Sequence, residues 1–129
     1  MNAPLPRIIQ GGMGVAVSSW RLARAVSLRG QLGVVSGTGI DTVVARRLQM
    51  GDPSGHLRAA FDAFPVPAIA RRVWERHYIE GGKTRGAAYK SKAVPTIKMP
   101  RALLDLIVLS NFAEVYLAKT GHSGKVGIN

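Results

Sequence analysis

The 129-residue sequence predicts an α/β protein built on a parallel sheet, and three observations carry that prediction. Two short apolar runs, Arg7-Ile8-Ile9-Gln10 and Leu32-Gly33-Val34-Val35, each end in a glycine cluster. Each cluster leads into a segment with helical spacing, giving β-α-β-α order and a parallel sheet buried on both faces. The final residues, Lys125-Val126-Gly127-Ile128-Asn129, form a further apolar run of strand length. The sequence stops there, where a connection should begin, which predicts a piece of a larger fold.

The elements follow in order. Arg7 to Gln10 makes the first strand, and Gly11-Gly12-Met13-Gly14 ends it in a turn that needs a permissive backbone. Ser18 or Ser19 is placed to cap a helix whose buried side includes Trp20, Ala23, Val26 and Ser27, with Arg21, Arg24 and Leu28 turned away. Gly30 closes that helix as its C′ residue. Leu32 to Val35 is the second strand and Ser36-Gly37-Thr38-Gly39 its turn. Asp41 then caps a helix running to about Met50, before Gly51.

Residues 52–99 break the rhythm, being far longer than the roughly 2 to 6 residues usual for such a connection, and read as an insertion. Within it Gly55 to Phe64 and Ala68 to Tyr78 are helical, a hairpin divided by Pro65-Val66-Pro67, which no helix interior would accept. Gly81 to Met99 carries Lys83, Arg85, Lys90, Lys92 and Lys98 without an acidic residue and reads as a basic, solvated loop. Pro100 suits the first turn of a helix, and Arg101 to Thr120 continues it as the longest helix of the chain, closed by Gly121. His122 sits at its C-terminus, where a dipole partner is expected rather than a base.

Composition narrows the chemistry. Hydrophobic residues make up 47% of the chain, which argues for a packed core rather than disorder. The absence of cysteine excludes disulfides, thiolate-held iron–sulfur clusters and Cys-rich zinc sites. Met1 to Arg7 lacks the basic and apolar regions of a secretory leader, so the expected location is cytoplasmic. The apolar stretch Ala102 to Leu117 is interrupted by Asp105, Ser110, Asn111 and Glu114, so it is a core helix and no membrane partner is expected. Eighteen Lys and Arg against seven Asp and Glu leave a net charge of +11, which could support nucleic-acid binding. A small basic module of that kind is the rival from another class. Nucleic acid is nevertheless disfavoured, because the cations are spread over several helices and Tyr89 is the only aromatic residue in the basic loop.

No metal site is expected, since His56, His77 and His122 lack ligand spacing, and no catalytic residue can be assigned. Gly12-Met13-Gly14-Val15-Ala16-Val17 has valine where a dinucleotide fingerprint needs its last glycine. Neither glycine cluster is followed by the Lys-Ser or Lys-Thr of a Walker A loop, and no serine sits in a G-x-S-x-G setting. What remains is the carboxyl end of the sheet, where parallel α/β folds bind ligands. Glycines at two neighbouring strand ends leave room for a flat ring or a phosphate against main chain, or serve only as tight turns.

Gln10-Gly11-Gly12-Met13-Gly14, Leu32 to Gly39 and Gly127-Ile128-Asn129, in that order, resemble the amino-terminal part of the nitronate monooxygenase family, formerly the 2-nitropropane dioxygenases. The resemblance covers essentially the whole chain. It implies a (β/α)8 TIM barrel, of which residues 1–129 would be an incomplete domain of about three strands with the 52–99 insertion after the second helix. It implies FMN as cofactor, with Gly11, Gly12 and Met13 beside the isoalloxazine ring, Asn129 contacting the flavin and Gly37 bordering the same cavity. The implied activity is oxidation of alkyl nitronates with dioxygen, so the implied partners are a small-molecule substrate, dioxygen and the carboxyl-terminal remainder of the barrel. The family's catalytic histidine and phosphate-binding loops lie on later strands, so this chain alone would be inactive. A flavin-dependent enoyl reductase-like protein of fatty-acid or polyketide synthesis is the alternative within the same group.

Overall fold

A computed structural model describes residues 4–129. Met1 to Ala3, the start of the segment read as lacking a secretory leader, lie outside the described residues. Among the described residues the elements run in the order β1 (Ile9–Gln10), α1 (Trp20–Ser27), β2 (Leu32–Val35), α2 (Ile40–Gln49), α3 (His56–Asp62), α4 (Pro67–His77), α5 (Arg101–Lys119) and β3 (Val126–Ile128). The strands form one sheet in the order β1-β2-β3, all parallel. The α/β class and the parallel sheet expected from the sequence are therefore both present. No helix among the described residues is long and apolar enough to cross a membrane.

The described residues divide into two compact units, one of residues 4–38 with Glu114–Asn129 and one of Gly39–Ala113. The first holds the whole sheet. Its register pairs Ile9 with Leu32, Gln10 with Gly33, Gly33 with Val126 and Val35 with Ile128. Residues two apart share a face, so Gly33 and Val35 point together towards α1. There the helix backbone comes so close that a Cβ on Gly33 would lie 2.0 Å from the Ala23 carbonyl oxygen. Val35 and Ala23 are accordingly buried.

The other face, with Ile9, Leu32, Val34 and Gly127, is only half-covered, and Ile9 is 64% exposed. The expected burial of both faces is thus corrected: α1 lies on one side of the sheet, and the second side keeps accessible apolar groups. Strand β1 is also shorter than expected. The Arg7 and Ile8 N–H groups both donate to the Gln31 side-chain oxygen at 2.9 Å, so a side chain takes the place of a strand partner there.

Two helix starts differ from the expectation. Ser19 occupies the N-cap of α1 but makes no capping hydrogen bond with its side chain. Instead the Trp20 N–H donates to the buried Glu114 carboxylate of α5 at 2.9 Å. In α2 the N-cap is Gly39 in the left-handed region, at φ +60, and Asp41 lies inside the first turn. There Asp41 pairs with Lys92 at 2.5 Å. Gly30, expected at C′, is left-handed at φ +75 but stands one residue further on, at C″, since Leu28 is the C-cap.

The second unit is helical. Pro67 opens α4 as a first-turn proline, where its missing N–H costs nothing. Leu48, Leu57, Ala60, Leu103, Leu106 and Leu109 form its dry centre, with Phe61 edge-on to Trp74 at 5.7 Å. Residues 81–99 contain no helix or strand, as expected, but they are fastened down. The buried Gln49 donates to the Lys90 carbonyl at 3.1 Å and accepts from the Lys90 N–H at 2.7 Å. Tyr89 lies beneath Arg46 and Lys83, at 5.0 and 4.8 Å. The loop is thus largely exposed, as expected, but it is anchored to the chain at Lys83, Tyr89, Lys90 and Lys92.

His77, in the last turn of α4, is 5% exposed. Burial, followed by the positive charges of Arg76 and Lys92, pushes its imidazole below the ordinary value of 6.5. The unfolded chain therefore binds a proton that the native chain refuses. This contribution to stability is whole above pH 6.5 and shrinks as pH falls from there through the native value, by at most about 1.4 kcal/mol per pH unit. His77→Gln removes it. Urea unfolding at pH 7.5 and pH 5.0 is expected to show a smaller loss in the variant than in the native chain, and equal losses would contradict a neutral buried His77.

Candidate functional site

The carboxyl ends of the three strands meet within the first unit. Their geometry is set by Gln10, Ser18 and Asn129 rather than by the glycines alone. Gln10, the last residue of β1, turns its amide alongside β2. Val34 N–H donates to its Oε1 at 3.1 Å, and its Nε2 donates to the Val34 carbonyl at 3.2 Å. The side chain thereby copies a backbone step and lengthens a two-residue strand. The same Nε2 reaches the Gly11 carbonyl at 2.7 Å and Ser18 Oγ at 3.2 Å.

Ser18 is buried and organises the turn after β1. Its Oγ accepts the Met13 N–H at 3.0 Å, its N–H donates to the Met13 carbonyl at 3.1 Å, and its carbonyl accepts the Ser36 N–H at 2.9 Å. The turns after β1 and β2 are thus tied together by main-chain and hydroxyl groups.

Asn129 completes the tie. Its Nδ2 donates to the Gly12 carbonyl at 2.6 Å, its Oδ1 accepts the Gly37 N–H at 3.2 Å, and its own N–H donates to the Val35 carbonyl at 3.2 Å. One side chain joins all three strand ends. The glycines at its two contacts are required by closeness: a Cβ on Gly12 would lie 2.7 Å from the Val35 carbonyl oxygen, and one on Gly37 2.0 Å from the Asn129 carbonyl oxygen. Both obstacles are backbone, which cannot step aside as a flexible side chain can.

Of the five residues singled out from the sequence, Gly12, Gly37 and Asn129 are therefore brought into direct contact. Gly11 and Met13 are not drawn into that knot. A Cβ on Gly11 would meet nothing within 4 Å, and Met13 is 73% exposed. They form an open, apolar rim beside it. The missing side chain at Gly11 leaves room for a flat group to approach the main chain, and the exposed Met13 thioether adds apolar surface beside it. A phosphate fits it less well, since Gln10 to Gly14, Ser36 to Gly39 and Val126 to Asn129 contain no Lys or Arg.

Gln10 and Ser18 were not picked out as site residues by sequence reasoning. Ser18 carried a signal only as a helix cap, and Gln10 only as the first residue of the motif that carries the resemblance. His122 lies elsewhere in this unit, with Nδ1 accepting the Gly124 N–H at 3.1 Å and Nε2 therefore donating to the Ala118 carbonyl at 2.6 Å. Its ring is engaged by the last turn of α5 and the chain leaving it. Among the described residues no three His, Cys, Asp or Glu side chains gather as metal ligands would.

Compared with protein-family models, with curated proteins and with solved structures, the chain matches none.

Proposed function

We propose that this chain belongs to an FMN-dependent oxidoreductase of nitronate monooxygenase type and supplies the first three strand ends of its (β/α)8 barrel. The observation that carries the reading is the Asn129 tie. A parallel sheet whose carboxyl ends are drawn together by one asparagine, leaving a bare glycine and an exposed methionine on the rim, offers a site of the kind that such folds use for ligands. The resemblance in Gln10 to Gly14 and at Asn129 directs that site to a flavin.

In this reading Gly11 lets the isoalloxazine ring approach the main chain, and Met13 packs against it. Gly12 and Gly37 allow Asn129 to close the strand ends, and Asn129 holds the rim at the spacing the ring needs. FMN when bound would accept an electron from a nitronate carbanion and pass reducing equivalents to dioxygen. The residues of this chain bind and orient the ring. The catalytic base and the phosphate-binding groups would come from later strands.

Flavin fluorescence titration tests the reading. Quenching is expected with FMN and equally with riboflavin, because no cation stands at the strand ends to recognise the phosphate. Gly11→Val is expected to fold normally, since its side chain enters open space, and to lose the quenching. Quenching that survives Gly11→Val would place any flavin elsewhere, and no quenching by either ligand would remove the flavin site from this chain.

A further inference from the structure

Within the helical unit, a cleft of about 340 Å³ opens between α4 and the start of α5. Arg72, Arg76 and Arg101 line it, together with His77 and Asp105. From this cleft we infer a second ligand site, one that binds the phosphoryl group of a small phosphorylated molecule.

The arginines are organised rather than merely adjacent. Asp105 is buried and receives Arg72 Nε at 3.3 Å and Nη2 at 2.9 Å on one oxygen, and Arg101 Nε at 2.8 Å on the other. Burial would raise its carboxyl, but the hydrogen bonds and charges of Arg72 and Arg101 outweigh that and hold it below the usual carboxylate range. It stays ionised and fixes both guanidiniums from behind. A guanidinium carries five N–H donors, so most of those on Arg101 remain for a ligand. Arg76 takes no part in the Asp105 pair, and its guanidinium has no hydrogen-bond acceptor among the described residues. Three guanidiniums against one carboxylate leave two positive charges around the cleft, the charge of a phosphate dianion with its sign reversed.

Two further features point the same way. The cleft reaches the first turn of the 19-residue helix α5, at Arg101 and Ala102, and that turn contains no acidic residue to offset its positive dipole end. His77 lines the cleft, is 5% exposed and has no hydrogen-bond partner among the described residues. Its ring nitrogens are not among the fully buried polar atoms, so they keep access to the surface of the cleft, where a phosphoryl oxygen can accept from the N–H. The size and concavity suit a small molecule, and forked guanidiniums match a phosphoryl group better than a single carboxylate.

The experiment is a titration of the intact chain with inorganic phosphate at constant ionic strength, followed by the NMR signals of the histidine rings and by calorimetry. Saturable one-to-one binding is expected, with the His77 ring signals moving. Arg76→Ala and Arg101→Ala are each expected to weaken it by about tenfold or more, while Arg85→Ala, which removes the same charge from the exposed loop, leaves it unchanged. Circular dichroism confirms the fold of each variant, and Arg76→Lys, which keeps the charge without the fork, is expected to recover part of the loss. Acetate binding as tightly as phosphate would overturn the phosphoryl assignment. Non-saturating shifts, or equal losses in Arg85→Ala, would overturn the site and leave only general charge attraction.

Discussion

Gly33→Ala is expected to destabilise the sheet unit by about 3 kcal/mol or more. Its Cβ would lie 2.0 Å from the Ala23 carbonyl oxygen and 2.6 Å from the Ala23 carbonyl carbon. Those atoms belong to the backbone of α1, so relief requires moving the helix or bending the strand. Neither is free: α1 is capped by Glu114, and β2 is the central strand, paired on both sides. Gly30→Ala is the matched control. Gly30 has φ +75 but open space around it, so only local backbone strain is charged against it, about 1 kcal/mol. Urea unfolding of the two variants should separate them clearly. Similar losses would mean that α1 does not approach β2 as closely as the Gly33 geometry requires.

Glu114→Leu is expected to cost about 2 kcal/mol, the price of a buried capping acceptor removed without loss of volume. The carboxylate is 1% exposed and takes the Trp20 N–H, 94 residues distant in sequence, at 2.9 Å. Ser19→Ala should by contrast stay within about 0.5 kcal/mol, because the Ser19 side chain makes no capping hydrogen bond. Unfolding midpoints measured by circular dichroism decide between the two caps. A large effect at Ser19 with a small one at Glu114 would restore the local cap that the sequence suggests.

The contrast between these caps shows how far local pattern reaches. Serine before an apolar run is a sound signal for a helix start, and α1 does begin at Trp20. Which acceptor serves the first N–H is decided by packing, since a carboxylate already buried on α5 is less costly to satisfy there than to leave alone. The same holds at α2, where Gly39 starts the helix and Asp41, the expected cap, is drawn to Lys92. The glutamines extend the point. Gln10, Gln31 and Gln49 each serve main-chain groups far away in sequence, at Val34, at Arg7 and Ile8, and at Lys90. No periodicity announces such a role, because an amide can mimic a peptide group wherever the fold leaves one unpaired.

At the strand ends the legible part was the choice of residues, and the illegible part their division of labour. Glycines after apolar runs marked the ends of β1 and β2, and Asn129 followed the third run. That Gly12 and Gly37 are needed for contact with neighbouring backbone, while Gly11 stands in open space, depends on distances between segments up to 117 residues apart.

By itself the sequence determined the α/β class, the order of the elements, the proline break before α4 and the parallel sheet, because each rests on short-range periodicity, glycine and proline backbone limits or the need to bury apolar runs. Only the tertiary structure decided the caps, the glutamine clamps, the half-covered second face of the sheet and the arginine cleft. Those depend on which groups from distant segments meet, and a buried polar group takes the partner that packing brings to it rather than the nearest one along the chain.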